Sequence, residues 1–77
     1  MMNFPSHAEV KALRSRYPQG TRIELIAMED PYAPIAPGTK GTVEYIDDAG
    51  QLHMHWDNGR TLALIPGEDS FREIQEV

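Results

Sequence analysis

The chain has 77 residues, 40% of them hydrophobic, and a formal net charge of −5 from seven basic and twelve acidic side chains. A length near the point where a single core becomes marginal gives one domain over residues 1–77, with little room for a deep catalytic pocket. The lack of cysteine excludes disulfides and thiolate metal sites, and an acidic balance repels a polyphosphate backbone unless the basic groups gather on one face.

The amino terminus, MMNFPSHAEV, has neither a basic start nor an apolar signal-peptide core, and no run approaches the roughly 20 apolar residues of a membrane span. The expectation is a soluble, cytoplasmic protein with no membrane association. Ser6 and Glu9 then have the spacing of a capping box, and Pro18 and Gly20 stop the helix they start. A short helix over 6–16 follows. Val10 and Leu13, continued by Tyr17, form its narrow apolar stripe, while Lys11, Arg14 and Arg16 are expected to face water.

The first strand is expected over 21–28, where Ile23 and Leu25 alternate with charged neighbours. Glu29 to Pro37 forms a nine-residue connection with three prolines at three-residue spacing, which removes backbone donors and favours extended geometry. It is a loop, and long ordered loops on small β folds are where binding usually resides.

The stretch from Gly38 to Gly59 then writes out two hairpins in succession. With Asp47-Asp48-Ala49-Gly50 as a four-residue loop, Ile46 pairs with Gln51, Tyr45 with Leu52, Val43 with Met54 and Gly41 with Trp56. That register gives one apolar face and places Glu44, His53, Thr42 and His55 on the other. Closing the second turn on Asp57-Asn58-Gly59, with Gly59 left-handed, pairs Met54 with Leu62 and Leu52 with Leu64; a two-residue loop would turn both leucines to the histidine face. Strands are accordingly expected over 39–46, 51–56 and 60–65, then a turn at Pro66-Gly67-Glu68-Asp69 and a closing strand near Phe71 to Ile74. Five short strands in a meander, with one long loop after the first, predict a mainly β fold: an SH3-like five-stranded barrel over 21–74 preceded by the helix.

Five pieces of the chain stand out: Tyr17-Pro18 with Gly20-Thr21, Met28 with Asp30-Pro31, Gly38-Thr39 with Gly41-Thr42-Val43, Asp47-Asp48 with Gly50, and Trp56-Asp57-Asn58-Gly59. Together they resemble a family of small bacterial proteins frequent in phages and other mobile elements, a domain of unknown function of the DUF4314 type. The resemblance covers almost the whole chain. It implies an SH3-like fold and an accessory-gene origin, and supplies no catalytic residue. A looser resemblance links Gly38, Gly41 and Val43 to the opening of ribosome-associated KOW motifs, although glycines before a strand also serve the bend itself.

The chemical constellations point away from catalysis. His53 and His55 project the same way from one strand, and Glu44 opposite His53 would complete three ligands of a zinc site, but on a flat wet face with no fourth partner. No metal and no cofactor are expected. Asp47, Asp48 and Asp57 sit in turns, where aspartate bonds nearby backbone N–H groups, and no nucleophile is spaced with a base. What remains is recognition of a macromolecule. In SH3-like folds the long first loop and the turn between middle strands bracket a groove, here with Glu29, Asp30, Tyr32 and Ile35 on one side and Asp57, Asn58 and Arg60 on the other, Trp56 near the boundary. Tyr and Trp anchor interfaces, and an acidic rim steers a basic partner; the alternative reading is that Tyr32 covers the barrel end and Trp56 is simply core. The expected function is a non-enzymatic protein-interaction module of phage or mobile-element origin, with inhibition of a host or defence protein as one form. The alternative is a nucleic-acid-associated accessory domain whose basic face is Lys11, Arg14, Arg16 and Arg22.

Overall fold

A computed structural model describes residues 5–28, 32 and 34–76 of the chain. Helix α1 spans His7–Arg16, and four strands follow: β1 Arg22–Ala27, β2 Lys40–Ile46, β3 Leu52–Trp56 and β4 Ser70–Glu73. They make one antiparallel sheet in the order β3-β2-β1-β4. The capping box forms as the sequence predicts: Ser6 Oγ accepts from the Glu9 N–H at 3.1 Å and Glu9 Oε1 from the Ser6 N–H at 3.3 Å. α1 buries Val10 and lays Leu13 and Tyr17 against the core, with Tyr17 edge-on to Phe71 of β4.

The expected five-stranded barrel is not what forms. Among the described residues the sheet is open, with four strands, and residues 60–65 do not complete a fifth. Leu64 bonds both ways with Leu52 at 2.9 Å, and Trp56 N donates to Arg60 O at 2.8 Å, so the three-residue turn and its register are those predicted. Gly59 is left-handed, φ +90°. Between these two points the ladder is interrupted at Leu62, whose carbonyl accepts the Trp56 indole N–H at 2.8 Å. Leu62 is consequently half-buried, whereas Leu64 is fully buried.

The first hairpin also departs from the expected register. Val43 faces Met54 and Gly41 faces Trp56 as predicted, but Tyr45 pairs with His53 and Ile46 with Leu52, because a bulge falls between Val43 and Tyr45. Glu44 is the extra residue. It lies against His55 instead of opposite His53, and the loop lengthens to residues 47–51, closed by Asp47 N to Gln51 O at 3.1 Å. The physical reason is burial: the shift brings Ile46 into the core and leaves Tyr45, which has a polar end, to water.

The core is Ile23, Leu25, Val43, Ile46, Leu52, Met54 and Trp56 from one face of the sheet, completed by Ile35 and Leu64 from its connections. At about 25 cal/mol per Å² of apolar surface, burial of these nine side chains is the main favourable term in folding. Gly41 makes room for the largest of them. A Cβ there would stand 2.7 Å from Trp56 Cε3, so the indole lies directly on the β2 backbone.

Candidate functional site

The connection between β1 and β2 is anchored at its base. Leu25 N donates to Thr39 O at 2.9 Å, Gly38 N to Leu25 O at 2.8 Å and Thr39 N to Ala36 O at 3.1 Å, with Gly38 left-handed at φ +88°. Ile35 is driven into the core, 1% exposed, and its N–H points at Met28 Sδ from 3.5 Å. Tyr32, three residues earlier, is 93% exposed. Glu29 and Asp30, expected beside it, lie outside the described residues.

The turn after β3 is held from several sides. Asn58 Oδ1 accepts from Arg60 N at 3.0 Å, an Asx turn that leaves Asn58 exposed and Arg60 half-buried. Arg22 of β1 grips Asp57 through a two-pronged pair, 2.8 and 2.7 Å, and also reaches Thr42 Oγ1 at 2.9 Å and Glu76 at 3.2 Å. The hydrogen bonds from Arg22 hold the Asp57 carboxyl below the usual carboxylate range, and Asp57, then Glu76, raise the Arg22 guanidinium. Asp57 is thus a structural counter-ion that remains exposed.

Two of the expected contact residues offer no surface. Ile35 and Trp56 are each 1% exposed, because a small sheet needs its largest apolar groups inside and Trp56 also finds a buried acceptor for its N–H. Of the eight residues singled out from sequence, Tyr32, Asp57 and Asn58 are exposed to solvent and Arg60 partly so.

Lys11, Arg14 and Arg16 are exposed as expected, and the two arginines, like Arg72, also make polar contacts. Arg14 donates to Ile46 O at 3.0 Å and to Asp48 at 2.9 Å, Arg16 pairs with Glu73 and stacks over Tyr17, and Arg72 of β4 pairs with Glu24 at 2.6 Å. Apart from the Arg16–Tyr17 stack, these contacts join residues 32 to 57 positions apart, so spacing along the chain carried no sign of them.

On the outer face, each histidine takes its own carboxylate. His53 Nε2 lies 2.8 Å from Asp47 Oδ2, and His55 Nδ1 lies 2.7 Å from Glu44 Oε1. Partial burial pushes the Asp47 carboxyl up, but the hydrogen bond from His53 and those from the Gln51 and Ala49 N–H groups outweigh it, and the group titrates below the usual range. Among the described residues no group of three His, Cys, Asp or Glu side chains is placed to hold a metal ion. A groove of about 920 Å³ runs between α1 and the turns near Gly50 and Pro66, with Leu13, Ala12, Pro5 and Ile65 among its apolar lining and Glu9 and Glu68 among its polar lining. No helix among the described residues is long and apolar enough to cross a membrane.

The family model described as Domain of unknown function (DUF4314) matches residues 6–74. The chain belongs to that family. The DUF4314 match opens on the α1 N-cap and closes one residue beyond β4, so it takes in the helix, all four strands, the β1–β2 loop and the turn at Asp57. No curated protein matches the chain.

Proposed function

We propose that this DUF4314 chain is a non-enzymatic protein-interaction module that meets its partner through the β1–β2 loop. One observation carries the reading: within four residues the loop places Ile35 in the core at 1% exposure and Tyr32 in water at 93%. An exposed ring three residues from a buried anchor is available for contact, and Tyr is among the side chains that dominate interface energetics. The acidic balance of the chain supports a basic partner. The ion pairs of Arg14, Arg16 and Arg22 speak against the nucleic-acid alternative, since each guanidinium already faces a carboxylate.

The sheet order, with residues 60–64 running along β3, supports reading the fold as a member of the SH3-like class whose fourth strand is frayed by the Trp56 indole bond. The resemblance to proteins frequent in phages and mobile elements extends the reading to inhibition of a host or defence protein. The test is capture from bacterial lysate on immobilised wild-type chain and on the Tyr32→Ala, Asp30→Asn double variant, with thermal melts of both. The reading holds if a protein retained by the wild type is lost from a variant that melts normally. It fails if the variant retains the same proteins, or if the wild type instead binds oligonucleotides with a steep salt dependence.

A further inference from the structure

A second surface lies at the other end of β2, on the outer face of the β2–β3 hairpin. Strict alternation from Val43 would send Tyr45 to the core; the bulge at Glu44 sends Ile46 there instead, at 5% exposure, and leaves Tyr45 54% exposed. A bulge disrupts the local ladder, and its characteristic effect is to re-aim a side chain.

Tyr45 is aimed at a support. Its ring stacks on that of its cross-strand partner His53, with centroids 4.3 Å apart and planes within 6°. His53 is held in turn by Asp47 Oδ2 at 2.8 Å, and Asp47 Oδ1 accepts the N–H groups of Ala49 at 3.0 Å and Gln51 at 2.9 Å. The hairpin turn therefore fixes the imidazole and the imidazole backs the phenol ring, leaving the opposite ring face to solvent. Little side-chain entropy remains to be lost when something settles on it.

A supported aromatic face suits two planar groups, a nucleobase or a guanidinium. The charges decide between them. Glu44, Asp47 and Asp48 stand within a few residues of Tyr45; one oxygen of Glu44 meets His55 and one of Asp47 meets His53, the Asp48 side chain is fully exposed although one oxygen is paired with Arg14, and the whole chain carries −5. A phosphate-bearing strand is repelled here and a guanidinium is attracted; a lysine would bring the charge without the plane.

We propose that Tyr45, backed by His53 and Asp47, is a stacking site for an arginine side chain of a protein partner, with the Asp48 and Glu44 carboxylates taking the guanidinium N–H groups. The site is separate from the Tyr32 loop, and its test uses no partner captured through that loop, so the two readings fail independently.

The probe is the blocked tripeptide acetyl-Gly-Arg-Gly-amide, with its lysine counterpart as control, titrated into isotope-labelled full chain while the ring signals of Tyr45 and His53 are followed by NMR. The arginine peptide is expected to shift both rings saturably and to bind about three- to fivefold more tightly than the lysine peptide, the range of an exposed cation–π contact. Tyr45→Leu should erase that preference and Tyr45→Phe should keep it. Should Tyr45→Leu fail to fold, the Glu44→Gln, Asp48→Asn double variant serves instead and should weaken arginine binding. Equal response to arginine and lysine, arginine preference that survives loss of the ring or of both carboxylates, or ring shifts produced by oligothymidylate and not by the peptide would each overturn the proposal.

Discussion

Trp56 donates its indole N–H to the carbonyl oxygen of Leu62 at 2.8 Å, so a residue in the core uses its one polar atom to hold the segment that follows β3. The bond competes with the backbone ladder for the same acceptor, and residues 60–65 bridge to β3 without becoming a strand. Trp56→Phe removes the donor, returns the Leu62 carbonyl to the ladder or to water and leaves part of the indole volume empty over Gly41. The expected loss is about 1–3 kcal/mol for the hydrogen bond and the cavity together. Urea denaturation followed by circular dichroism measures it, and a loss under about 0.5 kcal/mol would show the bond to be incidental.

The same bond separates two leucines that the sequence treats alike. Leu64 is fully buried and doubly bonded through its backbone to Leu52, while Leu62 is only half-buried against the core. Leu64→Ala should cost roughly 2–5 kcal/mol, as a large-to-small change in a packed site does. Leu62→Ala should cost clearly less, in contrast to the alternation-based expectation that it is a core position. Equal losses in paired denaturation curves would restore Leu62 to the core.

How far the chain discloses its own structure depends on the range of the interactions involved. The α1 cap, Ser6 with Glu9, is local and was readable; so was the Asp57-Asn58-Gly59 turn, because Gly59 and the Leu62 and Leu64 pattern agree on it. The bulge at Glu44 was not, since Tyr45 and Ile46 are adjacent and apolar and only packing decides which one enters the core. That adjacency, a break in period-two alternation, was the one visible sign. The grip of Arg22 on Asp57 and Glu76 spans the chain and leaves no local trace. Of the candidate site, the exposed Tyr32 was legible as a loop aromatic, but Ile35 in the same loop was misassigned because a loop anchor and a loop contact have the same composition.

Asp47 makes the acid limb of stability sensitive to one residue. Burial raises its carboxyl, the bonds from His53, Gln51 and Ala49 lower it further, and the net effect is a folded pKa below the unfolded one. The stability this contributes is fully present above the unfolded value of about 3.9 and is lost as pH falls through the folded value. Asp47→Asn cannot titrate, so its stability should fall less between pH 7 and pH 2 than that of the wild type, even though it starts lower. Melting temperatures across that range decide the matter, and parallel acid limbs would exclude Asp47 as a contributor.

Ile35 and Tyr32 allow the anchoring and the display functions of the β1–β2 loop to be measured apart. Ile35 fills the core from a segment with no strand of its own, so Ile35→Ala should cost roughly 2–5 kcal/mol despite lying in a connection. Tyr32 at 93% exposure supports little packing, and Tyr32→Ala should stay within about 0.5 kcal/mol of the wild type. The connection between β1, ending at Ala27, and β2, starting at Lys40, is twelve residues, long by the standard of small β folds, and the Ile35 anchor accounts for one part of it. The part that carries Tyr32 is then left for binding. If chemical denaturation instead finds Tyr32→Ala as damaging as Ile35→Ala, the ring is a structural lid, and the loop length is explained without a partner.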